Sequence, residues 1–197
     1  MKFKTITMND LRKFLEQFNR FKPSDIDLII ENTTIEFFKK GDFVVAEGQI
    51  SDKCYLVLKG CLRQFKVIDG VEKTSGFFIE EMPLVIYSSY LDGKPSEFNI
   101  QCLEDTILVS GTREKELEMQ LKSPILEHIT SLIMVLDYRK AERYIALLNN
   151  YNPEERYLKF MKSNPNFLNR IPLVHIASYL SVTPESLSRI RKRIVQK

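Results

Sequence analysis

Glu185 and Arg189 stand four residues apart near the end of this 197-residue chain, in the stretch PLVHIASYLSVTPESLSRIRKRIV that covers residues 172–195. A spacing of four puts both side chains on one face of a helix. An arginine there can donate two hydrogen bonds to guanine O6 and N7, and a glutamate can accept from cytosine N4, each contact carrying about 1–3 kcal/mol of discrimination between bases. Thr183 lies just before the pair and Ser188 between its members, and Arg191, Lys192 and Arg193 follow with the charge suited to phosphates, which position a helix without reading sequence. The competing reading is plain: Glu185 and Arg189 form a surface pair worth a few tenths of a kcal/mol.

Two short helices are needed to hold these side chains. Ile176, Leu180 and Val182, then Leu187 and Ile190, are spaced so that two inner faces meet across a turn at Ser181-Val182-Thr183, with small Ala177 where the helices must approach closely. This is helix-turn-helix spacing. Thr183 can cap the second helix with its hydroxyl, Pro184 fits the first helical position, and Glu185 suits the positive end of the helix dipole. Ser181 falls where such turns favour glycine, since a left-handed backbone costs a residue with a β-carbon roughly 1–2 kcal/mol.

Charge is distributed to match. Residues 170–197 hold six basic residues against one acid, a net +5, leaving 23 basic against 25 acidic residues, a net −2, in the remainder. A basic end on a mildly acidic body suits a polyanionic partner, and equally suits a solvated helix face. The composition, 44% hydrophobic and 28% charged, excludes disordered and collagen-like classes. No apolar run approaches the roughly 18–20 residues that span a bilayer, and the opening MKFKTITMNDLRKF has no apolar stretch after its lysines, so a cytoplasmic protein without a membrane partner is expected. Cys54, Cys61 and Cys102 are odd in number with no CxxC pair, which predicts reduced structural thiols and no metal or other cofactor.

The first half is punctuated by Gly41, Gly48, Gly60, Gly70, Gly76 and Gly93, between short β-branched and aromatic segments such as CYLVL, CLRQFKVI and TILVSG. Many short antiparallel strands follow, as in a jelly roll. Asp69-Gly70 is the strongest turn signal, because a type I′ hairpin needs positive φ at both central residues. After Gly111 the spacing becomes helical. Thr112 is a plausible cap, and Pro124 opens a helix that runs without Gly or Pro to about Asn149. One stripe on it is Leu126, Ile129, Ile133, Leu136, Lys140, Arg143 and Leu147; another is Met134, Tyr138, Ala141, Ile145 and Leu148. Apolar residues on two sides predict two buried surfaces, the second against an identical helix in a parallel homodimer or, alternatively, inside a single monomer. Asn152-Pro153-Glu154-Glu155 marks the start of another helix that ends near Asn164-Pro165.

Taken together, KKGDFVVAEGQISDKCYLVLKGCLRQFKV, the helix 123–149 and IASYLSVTPESLSRIRKRI resemble the Crp/Fnr family of bacterial transcription regulators over nearly the whole chain. The resemblance implies an α+β fold: a cyclic-nucleotide-binding-like β-roll with flanking helices over 1–122, a dimerisation helix over 123–150, and a helix-turn-helix DNA-binding domain over 151–197. It implies a homodimer on a near-palindromic operator in double-stranded DNA, and RNA polymerase as a further partner. Glu185 and Arg189 fall on the family's base-reading Glu and Arg; Pro184 replaces a residue that often contacts DNA.

The effector site matches poorly. Glu81 can stand for the family glutamate that takes the ribose hydroxyl, but Ser96 occupies the place of the arginine that neutralises the cyclic phosphate, with Glu97 beside it, so cyclic AMP is not expected to bind. An unidentified small molecule near Glu81, Tyr87, Ser88, Ser96 and Tyr138 is the remaining expectation. The cysteines do not fit the family's iron–sulfur pattern, His128 reads as structural, and His175 reads as a surface or phosphate-facing residue. The stretch between Asn166 and Ile171 is too short for the family's usual β-hairpin wing. No catalytic signature is present, and no enzyme is expected. The alternative is a small-molecule-binding or protein-interaction module that no longer reads DNA.

Overall fold

Eight strands build two facing four-stranded sheets in the computed structural model, which describes residues 6–195. The strands are β1 (Thr34–Phe38), β2 (Phe43–Val45), β3 (Lys53–Lys59), β4 (Leu62–Ile68), β5 (Val71–Phe78), β6 (Pro83–Leu84), β7 (Asn99–Cys102) and β8 (Thr106–Thr112). The sheet orders are β1-β8-β3-β6 and β2-β7-β4-β5, and the pairings are antiparallel. β4 and β5 are joined at Asp69-Gly70, whose φ values of 51° and 74° are the two positive angles a type I′ turn requires. Side chains alternate along the strands, so Val57, Leu62, Ile100 and Leu108 fill the space between the sheets.

β8 is buried along almost its whole length. Leu108 faces the interior of the roll, while Val109 turns the other way and packs with Leu11, Leu15 and Ile26 of two helices, α1 (Met8–Glu16) and α2 (Pro23–Asn32). A strand covered on both faces reads as an unbroken apolar run, as TILVSG does. A short helix, α3 (Tyr87–Asp92), sits in the apolar run between β6 and β7 and ends at Gly93 in the left-handed region.

After β8 the regular elements of the described chain are all helices: α4 (Arg113–Lys122), α5 (Pro124–Asn150), α6 (Pro153–Ser163), α7 (Leu173–Tyr179) and α8 (Pro184–Val195). Thr112 accepts from the Lys115 N–H, and Asn152 and Glu155 cap α6 reciprocally. Among the described residues no strand follows Thr112, so no β-hairpin wing flanks α7 and α8. Residues 164–171 form successive turns instead.

The long helix is two-sided in an unexpected sense. The row that faces the rest of the chain is Leu126, Thr130, Ile133, Asp137, Lys140, Tyr144 and Leu147. Its polar members are all engaged: Thr130 donates to Glu116, Asp137 accepts from the Tyr87 hydroxyl, Lys140 donates to the Phe77 carbonyl, and Tyr144 donates to the Tyr179 carbonyl. Leu136, placed by spacing on the stripe of Leu126, is 56% exposed, and Leu132, Met134, Val135, Tyr138 and Ile145 are exposed with it. The apolar side of α5 points outward.

The two ends of the chain share one core. Phe77 and Leu103 of the roll pack with Phe160, Phe167, Ile176, Leu180, Leu187 and Ile190, so the helix-turn-helix is seated directly on the β-roll.

Candidate nucleic-acid interface

α7 and α8 meet as the spacing predicts. Ala177 is fully buried between them, with Leu180 and Leu187, and Ser181 in the turn has φ 54°, the left-handed backbone expected there. Thr183 caps α8, its Oγ1 accepting from the Ser186 N–H at 3.2 Å. The side chains that follow divide cleanly. Leu187 and Ile190 point inward, whereas Glu185, Ser188, Arg189, Arg191, Lys192 and Arg193 are exposed.

Glu185 and Arg189 do not spend themselves on each other. Arg189 donates to Ser186 Oγ at 3.2 Å, and Glu185 is held below the usual carboxylate range by its own backbone N–H and the Thr183 hydroxyl, with a smaller pull from Arg189. Arg191 and Lys192 make no ion pair among the described residues. Arg193, expected at phosphates, is turned toward α6 and pairs with Glu154 at 3.0 Å.

The opposite side of the motif is fastened to the roll. β5 is an edge strand whose outer N–H and C=O groups need partners. Ser178 supplies both, accepting from the Thr74 N–H and donating to the Glu72 carbonyl, each at 2.9 Å. His175 is not a phosphate-facing surface residue: it is half-buried, and its Nδ1 lies 2.8 Å from Arg63 Nη1. The guanidinium can only donate, so Nδ1 accepts and the imidazole is neutral. Burial and the Arg63 charge lower the His175 pKa, with Glu72 opposing. Arg63 itself is buried, bonded to Gln101 and paired with Glu72 at 2.6 Å.

Arg170 makes the second fastening. Its guanidinium forms forked contacts with Glu80, at 2.7 and 3.0 Å, and with Glu104, at 3.0 and 2.7 Å. Burial raises the Glu80 pKa, but Arg170 and the Gly60 N–H outweigh it, and the carboxyl stays below its usual range. Two cations of the basic tail, Arg170 and Arg193, are therefore used internally.

The five residues expected near an effector do not share one setting. Glu81 is exposed at φ 68° in the turn between β5 and β6 and borders a cavity with Ile6, Leu11 and Phe14, which none of the other four lines. The Tyr87 hydroxyl is taken by Asp137, and the Ser88 carbonyl accepts from Lys94 N–H at the end of α3. Ser96 is buried and bonded to the Phe98 carbonyl and N–H, while Tyr138 is 65% exposed on the outer side of α5.

Residues 35–122 match the family model described as a cyclic nucleotide-binding domain. The transcriptional activator protein Anr of Pseudomonas protegens is 26% identical over 170 residues, 80% of this chain and 69% of that protein. The cyclic AMP receptor protein of Thermus thermophilus is 22% identical over 177 residues, 88% of this chain and 82% of that protein. These similarities support a regulator of the Crp/Fnr type. The solved structure of FixK2 from Bradyrhizobium japonicum shares the fold, with a TM-score of 0.72 at 18% identity over 83% of this chain and 85% of that one.

Sequence reasoning missed the fastenings of α7 rather than the exposed face of α8. Arg170 counted only as part of the basic tail, and nothing local to it signals Glu80 and Glu104. The three cysteines are free thiols; burial pushes Cys54 and Cys102 up to about 11 and Cys61 up to about 12. They are protonated near neutrality, which suits structural residues.

Proposed function

We propose that the protein is a homodimeric regulator that binds DNA in a sequence-specific way, with α8 in the major groove. The observation that carries this reading is the division of α8: Leu187 and Ile190 are buried, while Glu185, Ser188, Arg189, Arg191 and Lys192 are exposed on the side away from the roll. In this reading Arg189 and Glu185 read base edges, and Thr183, Ser188, Arg191 and Lys192 position the helix on phosphates. Arg193 joins them once released from Glu154.

The exposed apolar side of α5 supports the dimer. Leu132, Val135, Leu136 and Ile145 have no cover within the chain, and a second α5 running parallel buries them across a two-fold axis. Two copies of α8 then face successive major grooves about 34 Å apart, the geometry of a near-palindromic operator. Reading chromosomal DNA places the protein in the cytoplasm. No helix of the described residues is long and apolar enough to cross a membrane.

Cyclic AMP is not the effector in this reading. Ser96, which the resemblance sets in place of the family's arginine, is buried with its hydroxyl already bonded, and Glu97 pairs with Lys66 at 3.1 Å. A cyclic phosphate there gains no bidentate partner. A mobility-shift titration on genomic fragments tests the DNA reading. An operator-specific complex that weakens steeply with salt is expected; absent or salt-independent binding contradicts it.

A further inference from the structure

A cavity of about 490 Å³ lies between the C-terminal half of α5, α6, α7 and Phe77 of β5. That volume is within the range of small-molecule sites. Phe77, Tyr144, Phe160 and Tyr179 give it an aromatic wall, and Tyr144 stacks on Tyr179 with ring centroids 4.6 Å apart. Lys140, Arg143 and Lys159 reach it, and no carboxylate lines it. None of these three cations forms an ion pair among the described residues.

Lys140 is the informative one. Its ammonium has three donors, yet among the described residues it meets only the Phe77 carbonyl at 3.4 Å and the face of Phe78 at 4.4 Å. Burial lowers its pKa, Arg143 adds to that, and Asp137 opposes it without pairing, because its carboxylate accepts from Tyr87. A half-buried ammonium with spare donors is complementary to an anion. Arg143 is one helical turn further on the same side of α5, whereas Lys159 sits 4.1 Å over the Tyr151 ring. Two cations are thus free for one acid group.

We propose that this cavity binds a small aromatic carboxylate, with its acid group between Lys140 and Arg143 and its ring against Phe77, Phe160 and the Tyr144–Tyr179 pair. The site is separate from the β-roll interior and does not depend on the DNA reading. Its walls come from the roll, from α5 and from α7, so an occupant bears on the seat of the helix-turn-helix.

The test is a fluorescence titration of the full chain with 2-naphthylacetate, which the absence of tryptophan makes straightforward to read. Saturable binding of one molecule per chain is expected, with 2-naphthaleneethanol weaker by at least about tenfold, the loss of a charge-assisted contact. Lys140→Met and, at an exposed position that folding tolerates, Arg143→Met each weaken the acid and leave the alcohol unchanged, while Lys66→Met changes neither. No saturation at millimolar acid, equal binding of the alcohol, or tighter binding of 2-naphthyl phosphate overturns the proposal.

Discussion

Arg63 on β4 and His175 on α7 meet across the seam between the β-roll and the helix-turn-helix, with Nη1 2.8 Å from Nδ1. The contact requires a neutral imidazole, and the folded pKa of His175 lies below its ordinary 6.5. An unfolded chain therefore takes up this proton first, so the contribution to stability is whole above about pH 6.5 and is lost as pH falls through the folded value. Denaturant unfolding at pH 7.5 and 5.5 should show lower stability at the acid end, and His175→Gln, which cannot titrate, should shrink that difference. The same pH dependence in both proteins contradicts this role.

Arg170 ties the turns before α7 to Glu80 and Glu104, with all three side chains partly exposed. Charge-assisted bonds of this kind contribute about 1.5–3 kcal/mol each when dry, and less where solvent screens them. Arg170→Met should cost roughly 2 kcal/mol in denaturant unfolding and increase amide exchange in α7. Unchanged exchange would show the pair to be surface decoration.

Ser181 occupies the left-handed turn at φ 54°. Glycine relieves roughly 1–2 kcal/mol of backbone strain but gains roughly 0.5–1 kcal/mol of unfolded-chain entropy. Ser181→Gly should raise unfolding stability by about 0.5–1 kcal/mol. Gly60 is the opposite case: a β-carbon there would come within 2.8 Å of the Thr106 backbone at φ +112°. Gly60→Ala should cost about 2–4 kcal/mol, read by the same unfolding experiment.

Val135 and Leu132 lie on the outward side of α5. Val135→Asp should leave the monomer folded, since exposed substitutions usually change stability by about 0.5 kcal/mol or less, while sedimentation shows loss of the dimer. A variant that sediments as the parent does rules out this seam.

On α8, Arg189→Ala should relax sequence preference, whereas Lys192→Ala should weaken all sequences about equally and reduce the salt slope by about one. Anisotropy titrations on several duplexes at several salt concentrations separate the two effects.

The features legible in the sequence are those whose physics is local. Thr183-Pro184-Glu185 fixes the start of α8, Asp69-Gly70 the hairpin, and Asn152 with Glu155 the cap of α6, because each involves residues within a few positions. Ser181 is legible for the same reason. The partners of Arg170, His175 and Ser178 lie 66–112 residues away in the chain, and no spacing rule reaches them. The orientation of α5 escapes periodicity for a related cause: Asp137, Lys140 and Tyr144 face inward because Tyr87, Phe77 and Tyr179 each offer them a hydrogen-bond partner, leaving Leu136 and Ile145 outside.

Selection of duplexes from a randomised library by the full-length protein measures the central claim most directly. The exposed face of α8 on a two-fold dimer predicts enrichment of an inverted repeat with half-site centres about one helical turn apart, and loss of that motif with Arg189→Ala. Enrichment of no motif, or of one that survives Arg189→Ala unchanged, contradicts it.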